Sequence, residues 1–146
     1  MGRNILKPWR KKLEDQTTVA ATVTGTAFDF PLDLDGCLFI LKVSAASGTS
    51  PTLDVAIQFS PDSGTNYYDF FRFTRCTAAV EHHMVVSFRR LAEAGAIAAV
   101  TTGGNGAVNV NKPITEHCRI VSTIGGTNPS FSFVLWAFGA RTPVAE

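Results

Sequence analysis

The sequence predicts an all-β chain: a single-domain β-sandwich of jelly-roll type, preceded by an extended N-terminal arm. Short runs rich in Val, Ile, Thr and Phe, turn-forming clusters of Gly, Pro, Asn and Ser between them, and a marked excess of Phe lead to that expectation. Phe occurs 11 times against 2 Tyr and 2 Trp, and a ring without a polar tip suits the dry space between packed sheets. The 146 residues are enough for one hydrophobic core and too few for two comfortable domains. Residues 1–16 are assigned to the arm and residues 17–146 to the sandwich.

The arm is defined by its charges. Arg3, Lys7, Arg10, Lys11 and Lys12 stand in the first twelve residues with no acid among them, although the whole chain carries a formal net charge of only +1. Pro8 and the charge cluster argue against a strand, and Ile5, Leu6 and Trp9 have no apolar neighbours in sequence to pack on. Such a segment is expected to order against something else.

From Thr17 the texture becomes that of strands. Thr17–Phe30 is rich in Thr, Val and Phe, with Gly25 placed for a bulge, and PLDLDG then turns the chain. Cys37–Val43 reads as a strand buried on both faces over part of its length. Ser44–Pro51 reads as a loop. Thr52–Ser60 alternates, with Leu53, Val55, Ile57 and Phe59 on one side and Asp54, Ala56 and Gln58 on the other. Tyr67–Thr74 returns beside it as a hairpin. Residues 79–90 are consistent with a strand, residues 91–100 with a short helix or irregular strand, and 107–114 with an edge strand ending at Pro113. Cys118–Ile124 alternates, GGTNP turns, and Ser130–Phe138 closes the domain with Phe131, Phe133 and Leu135 on one face. No repeat at a fixed period is visible, which argues against a propeller or solenoid.

No catalytic, metal or cofactor site is expected. Cys37, Cys76 and Cys118 form no CxxC pair and read as buried thiols of a reducing compartment. His82 and His83 point to opposite faces of a strand, so with His117 they make a poor metal set. Asp33 and Asp35 lack the further ligands of a calcium loop. Gly103, Gly104 and Gly106 match no phosphate-binding fingerprint, and no GxSxG elbow is present. A small hydrolase using Asp62 or Asp69 is the weakest of the functional readings. Near-neutral charge argues against a nucleic-acid partner. The absence of an apolar run of about 20 residues, or of a secretory leader, argues against a membrane one.

Ser60-Pro61-Asp62-Ser63-Gly64-Thr65-Asn66-Tyr67 resembles the Asp-box hairpin S-x-D-x-G-x-x-W with Tyr in place of Trp. Ser60 and Asp62 can bind turn amides, Gly64 permits positive φ, and the Tyr67 ring can pack behind the turn. The expected role is structural.

Two stretches, FILKVSAASGTSPTLDVAIQFSPDSGTNYYDF and HCRIVSTIGGTNPSFSFVLWAFGAR, resemble small β-sandwich virion proteins of tailed bacteriophages. In those proteins a strand ending QFSPDGG and a late R-x-x-x-x-x-GGTxPSFxF stretch recur. The resemblance spans residues 37–74 and 117–141. It implies a non-enzymatic capsid decoration or cement protein located in the virion, assembled in the host cytoplasm, with the major capsid protein as partner. A homo-oligomer, a trimer or else a dimer, goes with that role. On this reading Arg3, Ile5, Leu6, Lys7, Trp9, Arg10, Lys11 and Lys12 form a capsid-binding arm. The alternative is a tail or fibre module that binds a host-surface glycan through Tyr67, Tyr68 or Trp136.

Overall fold

A computed structural model of the chain describes residues 8–87, 100–102, 107–108 and 114–140. Among them are nine strands and no helix. They are β1 (Trp9–Val19), β2 (Val23–Thr24), β3 (Phe28–Asp29), β4 (Gly36–Phe59), β5 (Tyr68–Arg72), β6 (Val80–Ser87), β7 (Val100–Thr102), β8 (Ala107–Val108) and β9 (His117–Ala140). All pair antiparallel in one open sheet whose main path is β1-β9-β4-β5-β8. β2 and β3 also lie on β9, β6 pairs with β4, and β7 pairs with β6. The all-β expectation holds.

The centre of the sheet is a ribbon of two 24-residue strands, β4 and β9. They pair from Gly36↔Ala140 at one end to Phe59↔Cys118 at the other. Cys37, Phe39, Leu41 and Val43 from the first half of β4 are buried, as are Leu53, Val55, Ile57 and Phe59 from the second, and all join one hydrophobic cluster. A straight strand rising roughly 3.3 Å per residue would hold Cys37 and Phe59 about 70 Å apart. The aromatic contacts show otherwise. Trp9, two strands across from Cys37, meets the Phe30 ring edge-on at 5.3 Å, and Phe30 meets Phe59 edge-on at 5.3 Å. The ribbon therefore doubles back until its ends meet. Phe59 goes on to Phe70 at 5.2 Å. Each edge-to-face pair adds about 0.5–1.5 kcal/mol beyond area burial, which gives the Phe excess a physical role.

The doubling is made at a waist. The sequence predicts turns at Ser44–Pro51 and at GGTNP, which would end the strands; instead both segments stay inside the ribbon, opposite one another. Each carries the motif Gly-Thr-Ser/Asn-Pro, at 48–51 and 126–129, and Thr49 pairs with Thr127 between them. The backbone repeats as well. Gly48 and Gly126 have φ of 111° and 108°, and Ser50 and Asn128 both have φ of 48°. Each glycine lies against the other strand's main chain: a Cβ on Gly48 would stand 2.6 Å from the Asn128 carbonyl oxygen, and one on Gly126 2.7 Å from that of Ser50. The register shifts clustered here re-aim the two strands together, as bulges do. Ladder pairing then resumes on the far side.

Strand β1 corrects the reading of residues 1–16. Trp9–Gln16, assigned to the arm, form a strand that runs through the 16/17 boundary and pairs with Gly139–Phe133 of β9. Their cations reflect an edge position, where one side of the strand faces water and charge is tolerated. Trp9 and Leu13 supply the apolar contact with the core. Elsewhere the expected elements appear. The hairpin of β4 and β5 pairs Ala56↔Arg72 through Phe59↔Tyr68, and β6 occupies most of 79–90. The helix or irregular strand expected over 91–100 lies, apart from Val100, outside the described residues. So does most of the edge strand expected over 107–114.

Gly126→Ala is expected to lower unfolding stability by about 1–3 kcal/mol, because a side chain there meets both a forbidden φ and the Ser50 main chain. Urea denaturation checks it, and an unchanged midpoint would show that the waist tolerates a Cβ.

Candidate functional site

Of the cations read as arm residues, Arg10, Lys11 and Lys12 are held by the sheet. The Lys11 ammonium sits 4.5 Å from the centre of the Phe28 ring and that of Lys12 5.3 Å from Trp136, and Lys12 also pairs with Asp15 at 3.1 Å. Arg10 is exposed opposite Phe138, and Trp9 is tied to Phe30. Arg3, Ile5, Leu6 and Lys7 lie outside the described residues.

Those cations border a face of unusual composition. Because alternate side chains of a strand share a face, register places Arg10, Phe138, Leu38 and Val85 in one row across β1, β9, β4 and β6. The next row holds Lys12, Trp136, Ile40 and His83. The opposite side of the same strands is core, with Phe39, Leu41, Met84, Leu135 and Ala137 fully buried. Cys37–Val43 was expected to be buried on both faces in part. Its inner residues are, but Leu38 and Ile40 are only half-covered. Val85 is 46% and Phe138 39% exposed, and Phe138 stacks on Trp136 at 6.0 Å. Between Leu38, Val85, Phe138 and Ala140 lies an open hollow of about 350 Å³. Grouped exposed apolar side chains are more informative than scattered ones, which makes this face the candidate site. The excess apolar character of Cys37–Val43 was the sequence signal for it.

The Asp-box-like hairpin forms as its residues suggest. The Ser60 hydroxyl donates to Asp62 Oδ1 at 2.8 Å and accepts the Gly64 N–H at 2.8 Å. Asp62 accepts the Asn66 N–H at 2.7 Å and the Asn66 side-chain amide. Gly64 takes φ of 98°. The Asn66 N–H above all, then the Asn66 amide and the Ser60 hydroxyl, hold the exposed Asp62 carboxyl below the usual carboxylate range. Tyr67 lies under the Arg119 guanidinium at 3.9 Å. Arg119 continues a polar row over the sheet: its Nε–H donates to Gln58 at 2.8 Å, Gln58 donates to Asp69 at 2.7 Å, and Arg72 donates to Asp69 at 2.6 Å. These side chains satisfy one another, which is the pattern of a surface strut.

The other sequence candidates are not brought together. His82 is buried while His83 on the opposite face pairs with Glu81. His117 approaches Glu116 at 3.5 Å. Among the described residues no group of three or more His, Cys, Asp or Glu is placed to hold a metal ion, and no helix is long and apolar enough to cross a membrane. Cys37, Cys76 and Cys118 are free and buried; burial pushes the Cys37 thiol up to about 12 and Cys76 up to about 11. The three aromatic residues considered for glycan have separate surroundings. Tyr67 is under Arg119, Tyr68 packs against the core, and Trp136 stacks on Phe138.

Comparison of the chain with protein-family models, with curated proteins and with solved structures returns no match.

The lowered pKa of Asp62 fixes the sign of a pH effect. Its contribution to the hairpin is complete above the ordinary carboxylate range and is lost as pH falls through the depressed value. The protection factor of the Asn66 amide is expected to persist through the ordinary carboxylate range and collapse only below it. Asp62→Ala is expected to abolish that protection at neutral pH without unfolding the sheet. Hydrogen exchange checks both outcomes.

Proposed function

We propose that this chain is a non-enzymatic structural protein of a tailed-phage virion, of the type that decorates or cements an assembled head. The observation that carries the reading is the outer face described above, where Phe138, Val85, Trp136, Leu38 and Ile40 stand half-covered or exposed beside Arg10 and Lys12. A face of that kind suits a protein whose work is to sit on another surface. The resemblance of residues 37–74 and 117–141 to small phage virion proteins supports the choice of surface.

The mechanism on this reading is stabilisation by mass action. A protein that binds the assembled lattice and not its free subunits raises the cost of dissociation by its own binding free energy. Cations at the margin speed encounter with an acidic capsid patch. Repeated sites on a symmetric shell, with the protein itself as a trimer or dimer, multiply the effect.

The proposal extends to the finer architecture: a jelly-roll-like sandwich in which the two halves of the β4–β9 ribbon are opposed layers. What supports it is the single core drawn from both halves and the ring contacts that join the ribbon's ends.

Quantitative mass spectrometry of purified particles tests the reading. A head-decorating protein is expected at on the order of hundreds of copies per particle, following the symmetry of the shell. About a few dozen or fewer would favour the tail or fibre alternative, and absence from particles would overturn the virion assignment. Deletion of residues 2–16 is a poor test, because it removes most of strand β1 and uncovers the edge of β9.

A further inference from the structure

We infer that the outer edge of β1 pairs antiparallel with β1 of a second copy about a two-fold axis, with Arg10 and Lys11 of each copy opposite Asp15 and Glu14 of the other. The inference goes beyond the virion reading and does not rest on it. It names the surface through which a dimer forms and the register that the charges select.

The edge comes first. β1 ends the main path of the sheet, and among the described strands only β9 lies beside it. Trp9–Val19, 11 residues, therefore have one side of their backbone engaged by β9 and the other turned away from it. The N–H and C=O groups along such an edge are a template for a further strand, and charged side chains decide which strands can use it. Here Arg10, Lys11, Lys12 and Asp15 are exposed and Glu14 is half-buried.

The charges are sorted along the strand. Arg10, Lys11 and Lys12 come first, Glu14 and Asp15 follow, and no other residue of β1 is charged. A parallel copy in register would set cation against cation and carboxylate against carboxylate, which is destabilising. An antiparallel copy reverses the order and sets each block against its opposite. The bulge between Lys12 and Glu14 makes the faces agree as well. Arg10 stands opposite Phe138 and Asp15 opposite Val134, in the outward series of β9, whereas Lys11 stands opposite Ala137 and Glu14 opposite Leu135, in its buried series. Residues directly across an antiparallel pair share a face. The axis that sets Arg10 across from Asp15 of the copy therefore sets Lys11 across from Glu14. Without the bulge those partners would lie on opposite faces. Lys12 and Leu13 fall beside the axis, and a two-fold pairing closes on itself, giving a dimer and not a fibre.

The contacts these groups already make leave room for the pairing. Asp15 accepts from Lys12 at 3.1 Å within its own strand, and a carboxylate with roughly four lone-pair sites can accept Arg10 of the copy as well. Glu14 accepts through Oε1, from the Gln16 amide at 2.8 Å and the Asp15 N–H at 3.3 Å, which leaves Oε2 for Lys11. The Lys11 ammonium rests over the Phe28 ring at 4.5 Å, on the inner side of the strand where Glu14 also lies. Among the described residues Arg10 has no ion-pair partner in its own chain, so the Arg10–Asp15 pair is the one that dimerisation newly completes.

Sedimentation velocity of the full chain over a concentration series tests this. Wild type is expected as a dimer in reversible equilibrium with monomer, weakened by added salt. Arg10→Asp sets carboxylate against carboxylate twice per dimer, and Asp15→Arg sets cation against cation twice. Each is expected to weaken dimerisation about tenfold or more on its own. Mixed in equal amounts, the two variants are expected to dimerise about as tightly as wild type, because every cation at positions 10 and 15 of one chain then faces a carboxylate of the other. Loss of fold or of the Lys12–Asp15 contact could not produce that rescue. Thermal melts accompany each variant, and Arg10, exposed and without an ion pair, keeps the test readable should Asp15→Arg fail to fold. A wild type that stays monomeric overturns the inference. So does a dimer that Arg10→Asp leaves intact, which would place the contact elsewhere, and so does a mixture of two folded variants that stays monomeric. Absence of the protein from particles overturns the virion reading and leaves this pairing standing.

Discussion

The structure depends on one constraint, the pairing of β4 with β9 over the full length of both strands. Every other strand but β7 and β8 hangs directly on this ribbon, and the core is filled from both of its halves. A ribbon of that length cannot bury its apolar face by lying flat. It must fold over, and antiparallel strands can do so together only if both change direction at the same place. The opposed Gly-Thr-Ser-Pro and Gly-Thr-Asn-Pro segments meet that requirement. Glycine allows each backbone to cross the other's main chain where a Cβ would collide, and the following Ser or Asn accepts the left-handed conformation.

Folding the ribbon settles which faces are spent on the core and which remain. The inner side chains of the first half are covered by the rest of the molecule. Among the described strands, the outer ones, Leu38, Ile40, Trp136 and Phe138, have only β1 and β6 beside their own ribbon. On the proposed function, the link runs through strands with apolar residues on both sides, one side used for folding and the other left for a neighbour. The polar row Arg119–Gln58–Asp69–Arg72, on the other half of the ribbon, is the contrasting case. There the outward polar side chains satisfy each other.

Much of this was legible in the sequence, for identifiable reasons. Period-two alternation made Leu53, Val55, Ile57 and Phe59 an inner face, and the turn chemistry of Ser60, Asp62 and Gly64 made the following hairpin. The continuity of the ribbon was not legible, because small and turn-forming residues look the same in a chain reversal as in a waist. The difference lies in what stands opposite, and that is a long-range fact. Strand β1 was hidden by its charges: an edge strand tolerates exposed cations such as Arg10, Lys11 and Lys12, so composition resembled an arm. The outer face was half-visible. Two-sided apolar character at Cys37–Val43 signalled a need for cover, but which residues stay uncovered depends on the neighbours that register supplies.

Native-state hydrogen exchange of the β4 amides tests most directly whether the ribbon is the element that holds the molecule together. If it is, the amides of Phe39 and Leu41 in the first half and of Val55 and Ile57 in the second open with one common free energy, equal to that of global unfolding. Two separate exchange classes, divided at the waist, would show that the halves are independent units and would contradict the account.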